Sequence, residues 1–315
     1  MRGFLVVDKP EGISSHHVIA IFRALLGKVK IGHTGTLDPF ATGVLVLAFG
    51  TCTRLISFLP EEKKSYRATL KLGEKTRTGD TEGDVVEIQA VPCHSQHSVE
   101  ALLRKMEGEQ YQVPPQFSAI KYKGKPLYSY ARKGQYIDVA PRKIHVYRLA
   151  HLSMKADELD FESVVSRGTY VRQLGEEIAQ NMGTVGHLVA LRRTKSGCFS
   201  IDKALSLEDV SMYTTGLPDW KQTLSKEGKS RFSRCEPQEL WAKLSAYLYP
   251  VEDVFSHLNA VEVSASRKVK IENGLPPLQV PQIQSHEHFW YTHQGMCVAL
   301  AQHDGQKVSL IRVFN

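Results

Sequence analysis

Residues 30–50, KIGHTGTLDPFATGVLVLAFG, place one carboxylate, Asp38, among glycines, threonines and a histidine just ahead of an apolar run. Pro39 disfavours helical backbone at the residue before it, so Asp38 belongs to an extended or turn segment. Gly32, Gly35 and Gly43 permit tight bends and let a ligand approach the main chain. On residue type alone an Asp-Pro pair is more often a turn than a catalyst. The chain nevertheless lacks the patterns of several competing chemistries. A dinucleotide fold needs G-x-G-x-x-G, a P-loop needs G-x-x-x-x-G-K-[ST], a zinc deaminase needs H-x-E with P-C-x-x-C, and a metalloprotease needs H-E-x-x-H; none of these occurs. The five cysteines, Cys52, Cys93, Cys198, Cys235 and Cys297, form no C-x-x-C pair and read as structural thiols. The HEH tract at 286–288 has no further ligand close in sequence, so no metal is expected.

A carboxylate on its own needs a scaffold and a substrate. The chain has 315 residues, 42% of them hydrophobic and 23% charged, which is ordinary for a globular protein of one large domain or a large and a small one. The N-terminus offers only Phe4–Val7 as an apolar run, too short for a signal peptide, and no stretch approaches a membrane span. A soluble cytoplasmic protein is expected. The net charge of +7 is uneven: residues 1–250 hold 35 Lys/Arg against 27 Asp/Glu, and the remainder five against six. Within the basic part, residues 120–150 carry eight Lys/Arg, one acid and Tyr122, Tyr128, Tyr130, Tyr136 and Tyr147. Cations neutralise phosphates and aromatic faces stack on unpaired bases, so this interleaving suits RNA or a single strand. A solvated basic face with tyrosines on a sheet is the plainer alternative.

The elements that must position these residues are mixed. GFLVVDKPEG reads as a short strand and turn, and SSHHVIAIFRALLG as a helix capped by Ser14 or Ser15, stopped by Gly27, with Val18, Ile21, Phe22 and Leu25 inward. SYRATLKLG alternates, so Tyr66, Ala68, Leu70 and Leu72 share the buried face of a strand. SVEALLRKMEG predicts a capped helix, FESVVSR a strand, TYVRQLGEEIAQNMG a helix closed by Gly183, and VGHLVALRRT a further apolar segment. Without a regular βαβ rhythm, the pattern predicts an α+β domain around a largely antiparallel sheet over residues 1–246. Residues 213–246 turn polar and read as a connecting segment with one helix near its end. Residues 247–315 predict a small β-barrel-like module of short strands with a turn at His303–Gly305.

Four long segments carry more than composition. GHTGTLDPFATGVLVLAFG, SYRATLKLGEKTRTGDTEGD, QVPPQFSAIKYKGKPLYSYARKG and SRGTYVRQLGEEIAQNMGTVGHLVALRRTKSGCFS follow in the order and approximate spacing of the TruB family. These are the bacterial tRNA pseudouridine-55 synthases, related to the guide-directed synthases of archaea and eukaryotes, and the chain resembles them over residues 1 to about 210. The tail resembles, less distinctly, the family's PUA-like RNA-binding module, and the long 213–246 connection departs from the usual short one.

The resemblance implies a pseudouridine synthase fold and a reaction on the T-loop uridine, position 55, of tRNA. The N-glycosidic bond breaks, the uracil turns while bound, and its C5 rejoins the ribose carbon. Glycosidases use two carboxylates because water must be activated. An isomerisation excludes water, and one aspartate in a dry pocket suits it. By the resemblance Asp38 is the catalytic carboxylate, Arg172 pairs with it, and Tyr66 stacks on the flipped uracil and takes part in its proton transfer. Independently, Arg172 in the first turn of its helix opposes the helix dipole, and an acidic partner there makes sense. Tyr170 and Leu191 line the pocket, Lys121 lies in the basic stretch, Asp80 contacts the target loop, and His33 stacks or contacts phosphate, with a structural role as the alternative. No cofactor is implied. The expected partner is the tRNA T-arm, with the acceptor stem, bound by a monomer. The competing readings are a non-catalytic RNA-binding or tRNA-folding module and a guide-dependent synthase; one small module and no long basic tails argue against the latter, so no guide RNA is expected.

Overall fold

The computed structural model describes residues 2–60, 63–212, 237–275 and 287–314. Its frame begins with a strand, β1 (Gly3–Lys9), the helix α1 (Ser15–Leu26), a short strand β2 (Ile31–His33), then β3 (Thr42–Phe49) and β4 (Lys64–Leu72). The Ser14 hydroxyl caps α1 by accepting the His17 N–H, and Gly27 leaves the helix at φ +74°. In β4 the alternation holds: Tyr66, Ala68, Leu70 and Leu72 are buried, and Arg67 faces solvent.

These strands join one mixed sheet. Its order is Leu205–Ser206, β1, β3, Gly186–Ser196, β4, Glu158–Val165, Arg142–Lys155, Gly108–Gln112, with β2, Phe199–Ser200 and Leu248–Tyr249 on side branches. Two junctions along this order are parallel, Leu205–Ser206 with β1 and Gly186–Ser196 with β3. The second brings Arg192 and Arg193 beside Thr42 and Gly43, close behind the Asp38 loop. VGHLVALRRT, read only as apolar, is therefore a central strand pairing on both edges.

Strands β1 and β3 are apolar on both faces because each face meets a different core. Leu5, Val7, Leu45, Leu47 and Phe49 point to α1 and the main core. Phe4, Val6, Val44, Val46 and Ala48 point the other way, to Phe199, Val251, Val254, Phe255, Trp290, Leu300 and Phe314. Continuous apolar runs in two-sided strands follow from this arrangement. The helix Val171–Asn181 buries Leu174 and Ile178 and is followed by Gly183 at φ +76°.

The 213–246 stretch has its helix near the end, as its sequence predicts. Residues 213–236 lie outside the described part, but Pro237–Ser245 is a helix whose Leu240 and Leu244 are fully buried in the main core. Trp241 meets the ring of Phe49 at 5.3 Å. Leu248–Tyr249 then pairs with β1, so the chain rejoins the large sheet before the small one starts at Asn259. That small sheet runs Asn259–Glu262, His288–His293, Met296–His303, Val308–Val313, the first pair parallel and the others antiparallel. The helix Ala265–Glu272 covers it through Ile271. Among the described residues this module, predicted as barrel-like, is a four-stranded sheet with Asn259–Glu262 and Val308–Val313 at its ends. His286 lies outside the described residues, and His288 packs edge-on against Phe58 at 5.4 Å. No described helix is long and apolar enough to cross a membrane.

Candidate active site

Asp38 sits between β2 and β3 in a loop bracketed by buried donors and acceptors. Ser15 Oγ accepts the Leu37 N–H at 2.9 Å and donates to the Leu37 carbonyl at 3.0 Å. On the other side, the Pro39 carbonyl accepts from Lys9 Nζ at 3.1 Å and from the Gly12 N–H at 2.8 Å. Lys9 is fully buried, and its ammonium also donates to the carbonyls of Pro10 and Ile13, both at 2.8 Å. Three donors meet three carbonyls, so the buried cation is satisfied. Burial still lowers the Lys9 amine to about 8, against the pull of Asp38.

Arg193, 1% exposed, holds the start of the same loop: Nε donates to the Val44 carbonyl at 2.7 Å and Nη2 to the Gly35 carbonyl at 3.1 Å. Gly43, at φ +98°, lies so close to Arg193 that a Cβ would sit 2.2 Å from its carbonyl oxygen. No side chain fits there.

The guanidinium of Arg172 completes the site. Its Nε meets Asp38 Oδ2 at 2.9 Å and its Nη1 meets Asp80 Oδ2 at 3.3 Å. Nη1 also donates to the Thr78 carbonyl at 2.7 Å, and Nη2 to the Phe117 carbonyl at 2.8 Å. The side chains of Arg172 and Asp80 are 4% and 2% exposed, that of Asp38 35%, so Asp38 is the most exposed member of the network. Burial pushes the Asp38 carboxyl above the ordinary carboxylate value; Arg172 pulls it down, Asp80 adds to the rise, and Lys9 also opposes it. A planar fork fixed by two main-chain carbonyls presents its remaining edge to Asp38 in one orientation.

Asp80 occupies a different place from the expected RNA-facing one. Its carboxylate accepts from the Thr78 hydroxyl and from the Glu82 N–H at 3.0 Å, and it lies under the site as the second partner of Arg172. Gly79 turns the chain into this position at φ +74°.

Tyr66 and Leu191, each 7% exposed, belong to the same buried apolar cluster as Leu37, Phe40 and Val171, which flank Asp38 and Arg172. In register Tyr66 stands opposite Arg193 on one side and Ser163 on the other. Tyr170 is half-buried immediately before the Arg172 helix; burial raises its phenol, and Asp38 is among the charges it senses. His33 ends β2 rather than lying in a free loop and meets His16 edge-on at 5.3 Å. Burial, with His16, Arg193 and Lys64, lowers His33 to about 4. It is neutral near pH 7 and brings no charge to a phosphate. Lys121 is exposed on a two-stranded hairpin with Lys125–Pro126, outside the buried network. Among the described residues no cluster of three or more His, Cys, Asp or Glu side chains is placed to hold a metal ion.

Sequence reading missed Lys9, Ser15, Gln112 and Arg193. Lys9 reads as a polar stop after an apolar strand, Ser15 as an alternative helix cap, and Arg193 as part of a basic pair. Their roles depend on contacts across 22 to 158 residues, as with Ser15 to Leu37 and Arg193 to Gly35.

Residues 23–171 match the TruB family pseudouridylate synthase N-terminal domain, and residues 172–256 the tRNA pseudouridylate synthase B C-terminal domain. The fold is that of pseudouridine synthases: a crystal structure of a Cbf5–Nop10–Gar1 complex superposes with a TM-score of 0.68 at 25% identity, covering 99% of this chain and 85% of that one. The tRNA pseudouridine synthase B of Hydrogenovibrio crunogenus is 38% identical over 272 residues, 86% of this chain and 80% of the relative. That of Geobacter sulfurreducens is 36% identical with both chains fully covered. The chain belongs to the TruB family of pseudouridylate synthases.

Proposed function

We propose that the protein converts the T-loop uridine at position 55 of tRNA to pseudouridine, with Asp38 as the catalytic carboxylate. The observation that carries this reading is a single accessible carboxylate anchored on a buried guanidinium whose other donors are committed to Asp80 and to main-chain carbonyls. Such a group acts on the ribose carbon as the N1–C1′ bond breaks, by attack or by charge stabilisation, and is released when C5 bonds to C1′. N1 gains a proton and C5 loses one, so the isomerisation balances without water or cofactor.

Tyr66 supplies a face for the flipped uracil, which offsets roughly 1 to 3 kcal/mol of lost stacking. Its hydroxyl takes part in the final loss of the C5 proton. Leu191 and Tyr170 border the pocket, and Asp80 acts through Arg172. The exposed lysines of the 120–150 stretch and the C-terminal module bind the T-arm and the acceptor stem. The enzyme acts as a cytoplasmic monomer and needs no guide RNA, in keeping with relatives named for tRNA.

A purely RNA-binding protein has no use for this network, since an acid facing phosphate opposes binding. Incubation of the purified protein with an unmodified tRNA transcript, followed by pseudouridine mapping, tests the reading. Product at position 55 is expected. No product on any tRNA overturns the enzyme assignment, and product only at another uridine overturns the position.

A further inference from the structure

The Arg172 helix begins without a side-chain cap. Tyr170 occupies the cap position in extended backbone, φ −96° and ψ 108°, and its phenol does not reach back to the first-turn amides. No acid stands in that first turn, while Arg172 places a cation at the positive end of the dipole. A helix start of this kind needs fixing from outside.

Gln112 fixes it. The residue closes the strand Gly108–Gln112 and is 2% exposed. Its Oε1 accepts the Tyr170 N–H at 2.8 Å and its Nε2 donates to the Tyr170 carbonyl at 3.2 Å, so one carboxamide pairs both main-chain groups as a neighbouring strand would. The Tyr170 carbonyl also accepts the first helical bond, from the Leu174 N–H at 3.0 Å. Five residues after Gln112, the Phe117 carbonyl takes Arg172 Nη2. One short segment thus holds the helix by its main chain and its arginine by the guanidinium. A shift at Tyr170 moves the Tyr170 ring and the Arg172 Cα together, and Arg172 Nε is the group that meets Asp38 at 2.9 Å.

We infer that Gln112 is a positioning residue for catalysis, setting the Asp38–Arg172 pair and the Tyr170 ring through its two hydrogen bonds to the Tyr170 main chain. The inference rests on Asp38 being the catalytic carboxylate. Misplacement of a reacting group by a fraction of an ångström to 1 Å costs up to about a hundredfold in rate.

The test uses the full-length protein and unmodified tRNA, with single-turnover rates at saturating enzyme. Gln112→Met keeps the volume and removes both hydrogen bonds to Tyr170, together with the one to the Glu177 side chain on the same helix; it should lower the rate about tenfold or more while tRNA affinity changes less than about twofold. Gln112→Glu keeps the acceptor for the Tyr170 N–H but turns a second acceptor toward the Tyr170 carbonyl and Glu177, so it too should lower the rate. In an Arg172→Lys background the loss from Gln112→Met should shrink to about twofold, because the residue it positions no longer has its fork. A general packing defect would leave the two losses multiplicative. If Gln112→Met does not fold, Gln112→Glu and its double variant with Arg172→Lys decide. An active wild type with full-rate Gln112 variants, or with fully multiplicative losses, overturns the inference alone; an inactive wild type overturns the functional reading beneath it.

Discussion

The Asp38 loop and the Lys121 hairpin are both short, polar and glycine-containing, yet they are held in opposite ways. The Asp38 loop is gripped by Lys9, Ser15, Arg193 and Arg172, all buried and all bonded to main chain or carboxylate. The Lys121 hairpin pairs with itself: Lys121–Tyr122 with Lys125–Pro126 across a turn whose Lys123 and Gly124 have φ of +46° and +80°. Both central residues in the left-handed region match a tight primed turn. Lys121, Tyr122, Lys123 and Lys125 remain exposed. In the proposed reaction, bond-making falls to the buried and fully bonded loop and RNA contact to exposed side chains.

If that division holds, the two regions fail differently. Asp38→Asn should leave fold and tRNA affinity nearly unchanged and reduce single-turnover product formation by about a thousandfold or more, because the lost charge acts on the reacting sugar. Retention of a tenth of the wild-type rate would refute the role of Asp38. The triple change Lys121→Ala, Lys123→Ala, Lys125→Ala should do the converse. It should weaken tRNA binding about tenfold at moderate salt and make the logarithmic salt dependence shallower by about two. Its rate at saturating enzyme should stay within about twofold of wild type, and a large fall there would mean the hairpin also shapes the pocket.

The contrast also marks what the sequence discloses. Asp38, Arg172 and Tyr66 are legible as a set only through the family resemblance, with strand alternation turning Tyr66 inward; the structure pairs Asp38 with Arg172 and buries Tyr66. The α+β class followed from local patterns. The positions of Asp80 and Gln112 were not legible, since Asp80 meets Arg172 and Gln112 meets Tyr170 over distances in sequence that leave no periodic trace. The helix Pro237–Ser245 lies where the sequence predicts one near the end of the polar stretch, but its packing into the main core rests on Leu240, Trp241 and Leu244 alone and is not legible there. His33 was read from its neighbours in sequence, and its burial, which decides its charge, comes from the packing.

Tyr66 lies on the buried side of the division, and replacing it by Phe separates its ring from its hydroxyl. An unperturbed phenol titrates near 10, so acting as a base near pH 7 requires a neighbouring cation. The cation that stands opposite Tyr66 in strand register is Arg193. Tyr66→Phe should slow single turnover by about one to two orders of magnitude with little change in binding, and Tyr66→Leu should cost more by removing the stacking face. A Phe variant close to wild type would reduce Tyr66 to a platform.

His33 tests the smallest difference between the two regions, because it ends β2 just before the Asp38 loop. Its folded value of about 4 lies below its ordinary 6.5, with burial as the main cause. Between those two values the unfolded chain binds more protons than the folded one, so stability attributable to His33 is complete above pH 6.5 and is lost as pH falls through 4. His33→Gln should therefore flatten the acid side of the urea-unfolding profile by roughly 1 to 2 kcal/mol, a figure reduced for the partial exposure of the ring. The same neutrality predicts that tRNA affinity changes with pH from 7.5 to 5.5 in the same way for wild type and His33→Gln. A cationic contact would behave otherwise: phosphate would raise the imidazole's affinity for protons, and wild-type binding would strengthen on acidification while the variant's did not. That divergence would place His33 among the RNA contacts, whereas parallel profiles keep it with the buried frame of the Asp38 loop.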